Sequence, residues 1–346
     1  MHTVDCLILW TIALIICGCH ENTQSFIFVE ESISHIDSIA HNKSFYGVLL
    51  TDTSKCNFNN CKSYLSSLGI KNEKTFFDII DINSPVNKWF VELIFPDFVP
   101  ILCCFDKKGK IIDIIPGMTR ESSNYSSECF NEGIQTAFPY RNVFHLNKKE
   151  LITKFNTILE YKNRITKEEK SLNSESIINV LDYPYTHHLL LEKAIIEKDF
   201  LSLHEISKNL LAHESSFTIP LYKEVFVKAK QALNPSYNYE DRAKISTSKD
   251  TIYILNAEKG KDSLFDIYIK NKGNDTLKIE KIKTSCSCLS LAQNHTATQI
   301  LPHDSINIKI VFSPDVIGKI YREIYFYSND YDKPLFFVSL YSDVKK

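Results

Sequence analysis

Two pairs of cysteines are the residues of this 346-residue chain whose types and spacing could do chemistry: Cys56 and Cys61 in "CNFNNC", and Cys286 and Cys288 in "KIKTSCSCLSL", Lys281 to Leu291. Paired thiols can close a disulfide, exchange with one, or ligate a soft metal. Helical positions five apart are separated by about 7.5 Å along the axis, whereas disulfide-linked Cα atoms usually lie within about 6.8 Å. Cys56 and Cys61 therefore pair only if Asn57–Asn60 form a loop or bulge ahead of a helix, and the asparagines in that gap tolerate turn conformations. One reading is a reactive thiol at a helix N-terminus. The others are a structural disulfide or two inert thiols. In the second pair an extended run puts both side chains on one face. Two thiolates are too few for a closed zinc site, and a Cu(I) site needs a third ligand, for which His295 and His303 are the nearby candidates. A disulfide across one residue is expected to be strained. Structural thiols are thus the first reading of Cys286 and Cys288, ahead of redox and metal roles.

The remaining candidates read as packing. Cys103 and Cys104 are neighbours in a strand-like run, so they face opposite ways and serve as small core hydrophobes. His187, His188, His204 and His213 fall in helix-like sequence. Adjacent helical residues diverge by about 100°, and no cysteine or carboxylate stands at ligand spacing along the chain. Core or surface histidines are expected there, with no metal and no cofactor. The chain has 40 Lys+Arg against 42 Asp+Glu, a formal charge of -2. That balance lacks the electrostatic footprint of nucleic-acid binding, and no basic block marks a polybasic membrane patch.

The elements that must position these residues divide the chain into four stretches. Residues 1–18 hold an apolar run, Leu7 to Gly18, too short to span a bilayer and of the length of a signal-peptide core. Residues 19–164 alternate strand-like and helix-like runs: "FYGVLL" (Phe45–Leu50) and "TFFDIIDI" as buried strands, "FVPILCCFDKKGKIIDIIPG" as a hairpin, and Lys148 to Tyr161 as a helix with Leu151, Phe155 and Ile158 on one face. Residues 165–245 carry helical spacing, with Leu203, Ile206 and Leu210 on one face and Val225, Ala229 and Leu233 on another, punctuated by Pro184, Pro220 and Pro235. Residues 246–346 turn all-β. Phe265, Ile267 and Ile269 share one face, as do Ile306, Ile308, Ile310 and Phe312 against Asn307 and Lys309. The fold class is therefore multidomain: an α/β domain, a short helical segment, and a β-sandwich.

Three stretches carry resemblances to known groups. "IICGC" resembles a bacterial lipobox, which implies a lipoprotein whose Cys19 receives the lipid and anchors it in the cell envelope. The preceding "MHTVDC" departs from the pattern in having Asp5 and no Lys or Arg, which leaves an uncleaved anchor as the alternative. With Cys6 and Cys17 in the leader and Cys19 lipidated, an odd set of cysteines is left, which cannot all pair within one chain. The order of elements in residues 19–164 resembles the thioredoxin-like fold. Pro100 would then be the cis-proline that faces the cysteine motif, although the family's motif is Cys-x-x-Cys and here four residues intervene. From Asn271 the chain resembles an uncharacterised domain family frequent in secreted Bacteroidota proteins, with an "N-x-G-N-x-x-L-x-I" strand pair followed by "SCGCT". The matching residues are Asn271, Gly273, Asn274, Leu277, Ile279, Ser285, Cys286 and Cys288, then Ile300, Pro302, Phe312, Gly318, Ser328 and Asn329. Ser287, Leu289 and His303 depart from it. The resemblance implies an immunoglobulin-like sandwich related to the ASH/MSP-like group, a domain of unknown function. The expected function is a lipid-anchored extracytoplasmic binding or assembly protein, partnered by the membrane and by another envelope protein or a glycan, without established catalysis. The alternative is a thiol–disulfide oxidoreductase using Cys56 and Cys61, against which the widened gap should hinder delivery of the resolving thiol.

Overall fold

The structure is a computed structural model that describes residues 45–71, 75–85, 87–167, 174–293 and 298–346. The leader, Cys19 and His295 lie outside the described residues. The chain forms two compact units: one runs through Val86 and adds Phe98–Tyr140, and the other comprises Asn87–Asp97 and Arg141–Lys346.

The first unit is a mixed four-stranded sheet in the order β2-β1-β3-β4, made of β1 (Phe45–Thr51), β2 (Thr75–Asp81), β3 (Ile101–Phe105) and β4 (Ile111–Pro116). β1 and β2 are parallel and joined through helix α1 (Phe58–Ser66), whereas β3 runs antiparallel to β1 and to β4. The β3–β4 hairpin turns where Asp106 Oδ1 accepts from the backbone of Lys108 and Lys110. Leu49, Phe77, Leu102, Cys104 and Ile115 from the sheet pack with Cys61 and Leu65 of α1 in one core cluster. Cys129 and Phe130 complete that cluster from a helix for which the sequence reading had no element (Arg120–Glu132). Its sequence, "RESSNYSSECFNE", hides its periodicity because Ser122 and Ser126 take part in its buried face, both within hydrogen-bonding distance of the Tyr64 hydroxyl.

The second unit begins with a short insertion, α2 (Lys88–Ile94), so the helix at Arg120–Glu132 is α3. α4 (Lys148–Thr166), α5 (Ser174–Val180), α6 (Pro184–Glu197), α7 (Phe200–Ala212) and α8 (Ile219–Leu233) follow. The sequence reading placed α4 in the first domain, yet it groups with the second unit. Its Leu151, Phe155 and Ile158 are fully buried, as their spacing predicts. Phe95, at the end of α2, meets Phe144, Tyr183 and Tyr222 in an aromatic cluster. The Tyr183 and Tyr222 hydroxyls donate to the backbone carbonyls of Leu93 and Glu92. That tertiary reward, rather than its seven-residue length, accounts for α2.

The rest of the second unit is a β-sandwich. One sheet has the order β10-β8-β12-β13-β6 and the other β5-β7-β11-β9. The strands are β5 (Ile245–Thr247), β6 (Thr251–Ile254), β7 (Ser263–Asn271), β8 (Leu277–Thr284), β9 (Leu289–Leu291), β10 (Thr298–Ile300), β11 (Ser305–Phe312), β12 (Gly318–Ser328) and β13 (Leu335–Val344). Period-two alternation sends Ile267 and Ile269, Ile308, Ile310 and Phe312, and Ile324 and Phe326 into one core. The sandwich is tied to the helices by Lys230 of α8. Its ammonium lies 3.1 Å from Glu214 and 2.8 Å from Asp275. Burial pulls the Lys230 pKa down, but these carboxylates outweigh it and the net shift is upward.

Candidate functional site

The Cys56–Cys61 pair sits where β1 gives way to α1. After Thr51 the chain makes a tight turn in which the Lys55 and Cys56 amides donate to the Asp52 carbonyl. Asn57 is the helix cap: its backbone is extended and its side chain accepts from the Asn59 amide. Cys56 therefore stands off the helix while Cys61 lies within it, and their sulfurs come to 3.5 Å. This corrects the expected geometry in two respects. The whole Asn57–Asn60 gap is not a loop, because the helix begins at Phe58. Nor does the gap keep the thiols apart, since one extended residue turns Cys56 back over the first turn.

The two thiols differ in surroundings. Cys56 is half-buried and Cys61 is fully buried. Burial, then the neighbouring Cys56, pushes the Cys61 pKa up to about 11. The Thr51 hydroxyl, 3.9 Å from its sulfur, works weakly the other way. Pro100 follows a cis peptide bond. Because Leu50 is paired with Ile101, Pro100 falls opposite Thr51, at the end of the sheet from which the cysteine turn departs.

Cys286 and Cys288 are joined in a disulfide with Cα atoms 5.2 Å apart, where the sequence reading put unbonded structural thiols first. The physical reason lies in the backbone. Two residues of extended chain advance about 6.6 Å, but residues 285–288 form a bend between β8 and β9 rather than a continuing strand. The bend is held by the Thr284 hydroxyl donating to the Cys286 carbonyl and by the Ser313 amide donating to the Cys288 carbonyl. Arg322 Nε lies 3.4 Å from Cys288 Sγ.

The other motif residues are hydrogen-bonding fixtures, Ser285 at this bend and Asn271 and Asn329 at the opposite end of β8. Buried Asn271 donates to the carbonyls of Asp275 and Ile300 and accepts from the Gly273 and Lys244 amides. Asn329 closes β8 onto β12, accepting from the Lys278 amide and donating to the Thr276 carbonyl. Ser285 exchanges two bonds with the backbone of Glu323.

Cys103 and Cys104 are both fully buried, and Cys104 alone of the two joins the cluster under α1. His188 lies between Glu92 and Glu192. Burial lowers its pKa, but the two carboxylates prevail and hold it at about 9. His187 and His213, expected as core or surface histidines, both approach Asp182. His213 stands 31 residues from Asp182, so spacing along the chain carries no signal of the cluster.

The family described as HYDIN/CFA65/VesB-like, Ig-like domain matches residues 243–343. The β-sandwich is therefore an Ig-like domain, and the chain combines it with helices and a separate α/β unit. Among solved structures, a Porphyromonas gingivalis W83 protein of unknown function is 19% identical over 32% of this chain and 50% of its own, with a TM-score of 0.27. The ASH/PapD-like domain of human CEP192 is 11% identical over 32% of this chain and 92% of its own, with a TM-score of 0.26. The secreted serine protease VesC from Vibrio cholerae is 12% identical over 30% of this chain and 24% of its own, also at 0.26. No curated protein sequence matches the chain. Among the described residues, no helix is long and apolar enough to cross a membrane.

Proposed function

We propose that the first unit is a thioredoxin-like thiol–disulfide exchange module, carried on a lipid-anchored envelope protein whose Ig-like domain is a binding arm. The observation that carries the redox reading is the 3.5 Å approach of a half-buried Cys56 sulfur to a buried Cys61 sulfur at the start of α1. The anchor rests on "IICGC" at Cys19. The binding arm rests on an aromatic row across β12, β13 and β6, where Tyr321, Tyr341 and Tyr253 stand side by side in register and exposed. Such a row offers contact area to another envelope protein or a glycan.

The chemistry balances with the two thiols alone on the protein side. Cys56 thiolate attacks a disulfide, a mixed disulfide forms, and one substrate thiolate leaves. Cys61 then loses its proton and attacks the Cys56 sulfur, releasing the second substrate thiol. The pair gives up two electrons and an external dithiol restores it. Burial, the largest cause of the raised Cys61 pKa, persists in the mixed disulfide, so the second step is the slower one and the mixed disulfide accumulates.

The test is mass mapping of the purified full chain across a series of glutathione buffers. We expect the Cys56–Cys61 bond to form and break reversibly, and Cys56→Ser to abolish catalysed reduction of a peptide disulfide. A pair that stays oxidised in every buffer, or never oxidises, removes the exchange reading and leaves a binding or assembly protein on an inert fold.

A further inference from the structure

The helices of the second unit bring together three ligand-type side chains that the exchange reading does not use. α6 and α7 are joined by only Lys198 and Asp199, so they fold back as a hairpin, and the start of α6 meets the end of α7. Asp182 lies in the link just before α6, His187 on its first turn, and His213 is the residue capping α7. Asp182 Oδ1 is 2.7 Å from His187 Nε2 and 3.1 Å from His213 Nε2. The three ligand atoms lie within 4.8 Å of one another.

We propose that Asp182, His187 and His213 form a binding site for one divalent transition metal ion, Zn2+ first among them. Zinc takes imidazole and carboxylate ligands at about 2.0–2.2 Å. In a tetrahedron of that size neighbouring ligand atoms are about 3.3 Å apart. The two distances to Asp182 fall short of that by a few tenths of an ångström, so the exposed carboxylate moves outward, and the imidazoles turn toward one another, to admit the ion. Side-chain exposure rises from 4% at His187 to 27% at His213 and 60% at Asp182. The nitrogens are thus held by packed helix ends while the oxygen side faces water, and water completes the coordination there. Two imidazoles with one carboxylate suit a borderline metal, whereas Mg2+ and Ca2+ demand oxygen ligands.

One feature sets the strength of the site. A metal on Nε2 of His187 leaves the ring proton on Nδ1, which is buried without a hydrogen-bond partner among the described residues. The outer acceptor that most metal-bound histidines have is missing, which lowers affinity by about 10–100-fold relative to a fully supported site. The ion pins the first turn of α6 to the end of α7 and is independent of the dithiol chemistry.

Chelator-treated full-length protein titrated with Co2+ provides the test. We expect one equivalent to bind with the visible d–d absorption of a low-coordinate ion, displaced by Zn2+, and Zn2+ to raise the melting temperature. His213→Asn should remove both responses; it sits at an accessible helix cap and keeps the fold, whereas His187→Asn alters a buried position. His204→Ala, outside the cluster, should bind as the wild type does. The assignment is overturned by the absence of saturable absorption in the wild type, or by binding that survives in His213→Asn. A thiolate-to-cobalt charge-transfer band that vanishes in Cys56→Ser would move the ion to the cysteines and overturn it equally.

Discussion

The two cysteine pairs reverse what their spacing implies. Cys56 and Cys61, five positions apart in sequence, have sulfurs 3.5 Å apart without a bond, while Cys286 and Cys288, two positions apart, are bonded. In each case the backbone between them decides. Asn57 leaves the helix early, and residues 285–288 leave the strand. Their settings also differ. Cys61 is buried beneath a half-open partner whose amide is held by a local turn. The bonded pair is bound on three sides, by Thr284, Ser313 and Arg322. A pair with one open side is suited to changing state, and a pair fixed through its carbonyls is suited to closing a bend.

Filling the close approach at the β7–β8 turn, at the opposite end of β8 from the bonded pair, should have the largest effect. At Gly273 an added Cβ would lie 1.9 Å from the Arg242 carbonyl oxygen and 2.9 Å from the Ala243 Cα. Both are backbone atoms, so no side chain can swing aside, and the β7–β8 turn must separate from the segment leading into β5. Gly273→Ala should cost about 3–5 kcal/mol, the range of severe packing lesions, read from urea unfolding of the full chain. A loss below about 1 kcal/mol would mean that this close approach is not needed.

That glycine also shows what sequence could and could not reveal. Asn271, Gly273, Ser285 and Asn329 were legible only through the resemblance to a domain family, since their bonds reach far along the chain, Asn329 to Lys278 and Ser285 to Glu323. Alternation in β7 and β11, and the opposite facing of Cys103 and Cys104, were legible from the residues themselves, because the facing of strand neighbours is a local property. The helix at Arg120–Glu132 was not, since its inward face uses serines that count as polar in any periodicity. The Asp182, His187 and His213 cluster was invisible because it exists only once α6 and α7 fold together. The closeness of Cys56 and Cys61 depended on a single helix boundary, which is the least legible feature of an element.

A second prediction sharpens the contrast at the open pair. With a pKa of about 11, reduced Cys61 gains thiolate about tenfold per pH unit well beyond the point where an ordinary cysteine, near 8.5, has saturated. Iodoacetamide labelling mapped by mass should therefore rise about a hundredfold at Cys61 between pH 7 and 9 and continue upward above that. A plateau by pH 9 would show that its burial does not hold the proton, and the expected slow resolving step would go with it.

The smallest effect is expected from opening the bonded pair itself. In the loop-entropy account the stabilisation from a cross-link grows with the length of chain it closes, and a loop of three residues is worth about 1.5 kcal/mol. Cys288 is 8% exposed, so serine there also removes some packing, while the Thr284 and Ser313 bonds to the neighbouring carbonyls do not depend on sulfur. The double variant Cys286→Ser, Cys288→Ser should thus lower stability by about 1–2 kcal/mol, with the slope of the urea transition unchanged because the same surface is exposed. Loss of cooperative unfolding would make the disulfide, rather than the hydrogen-bonded frame, the element that holds this edge of the sandwich. The contrast between a clip that merely closes a bend and a pair that changes state would then have to be redrawn, with stability dominating at both sites.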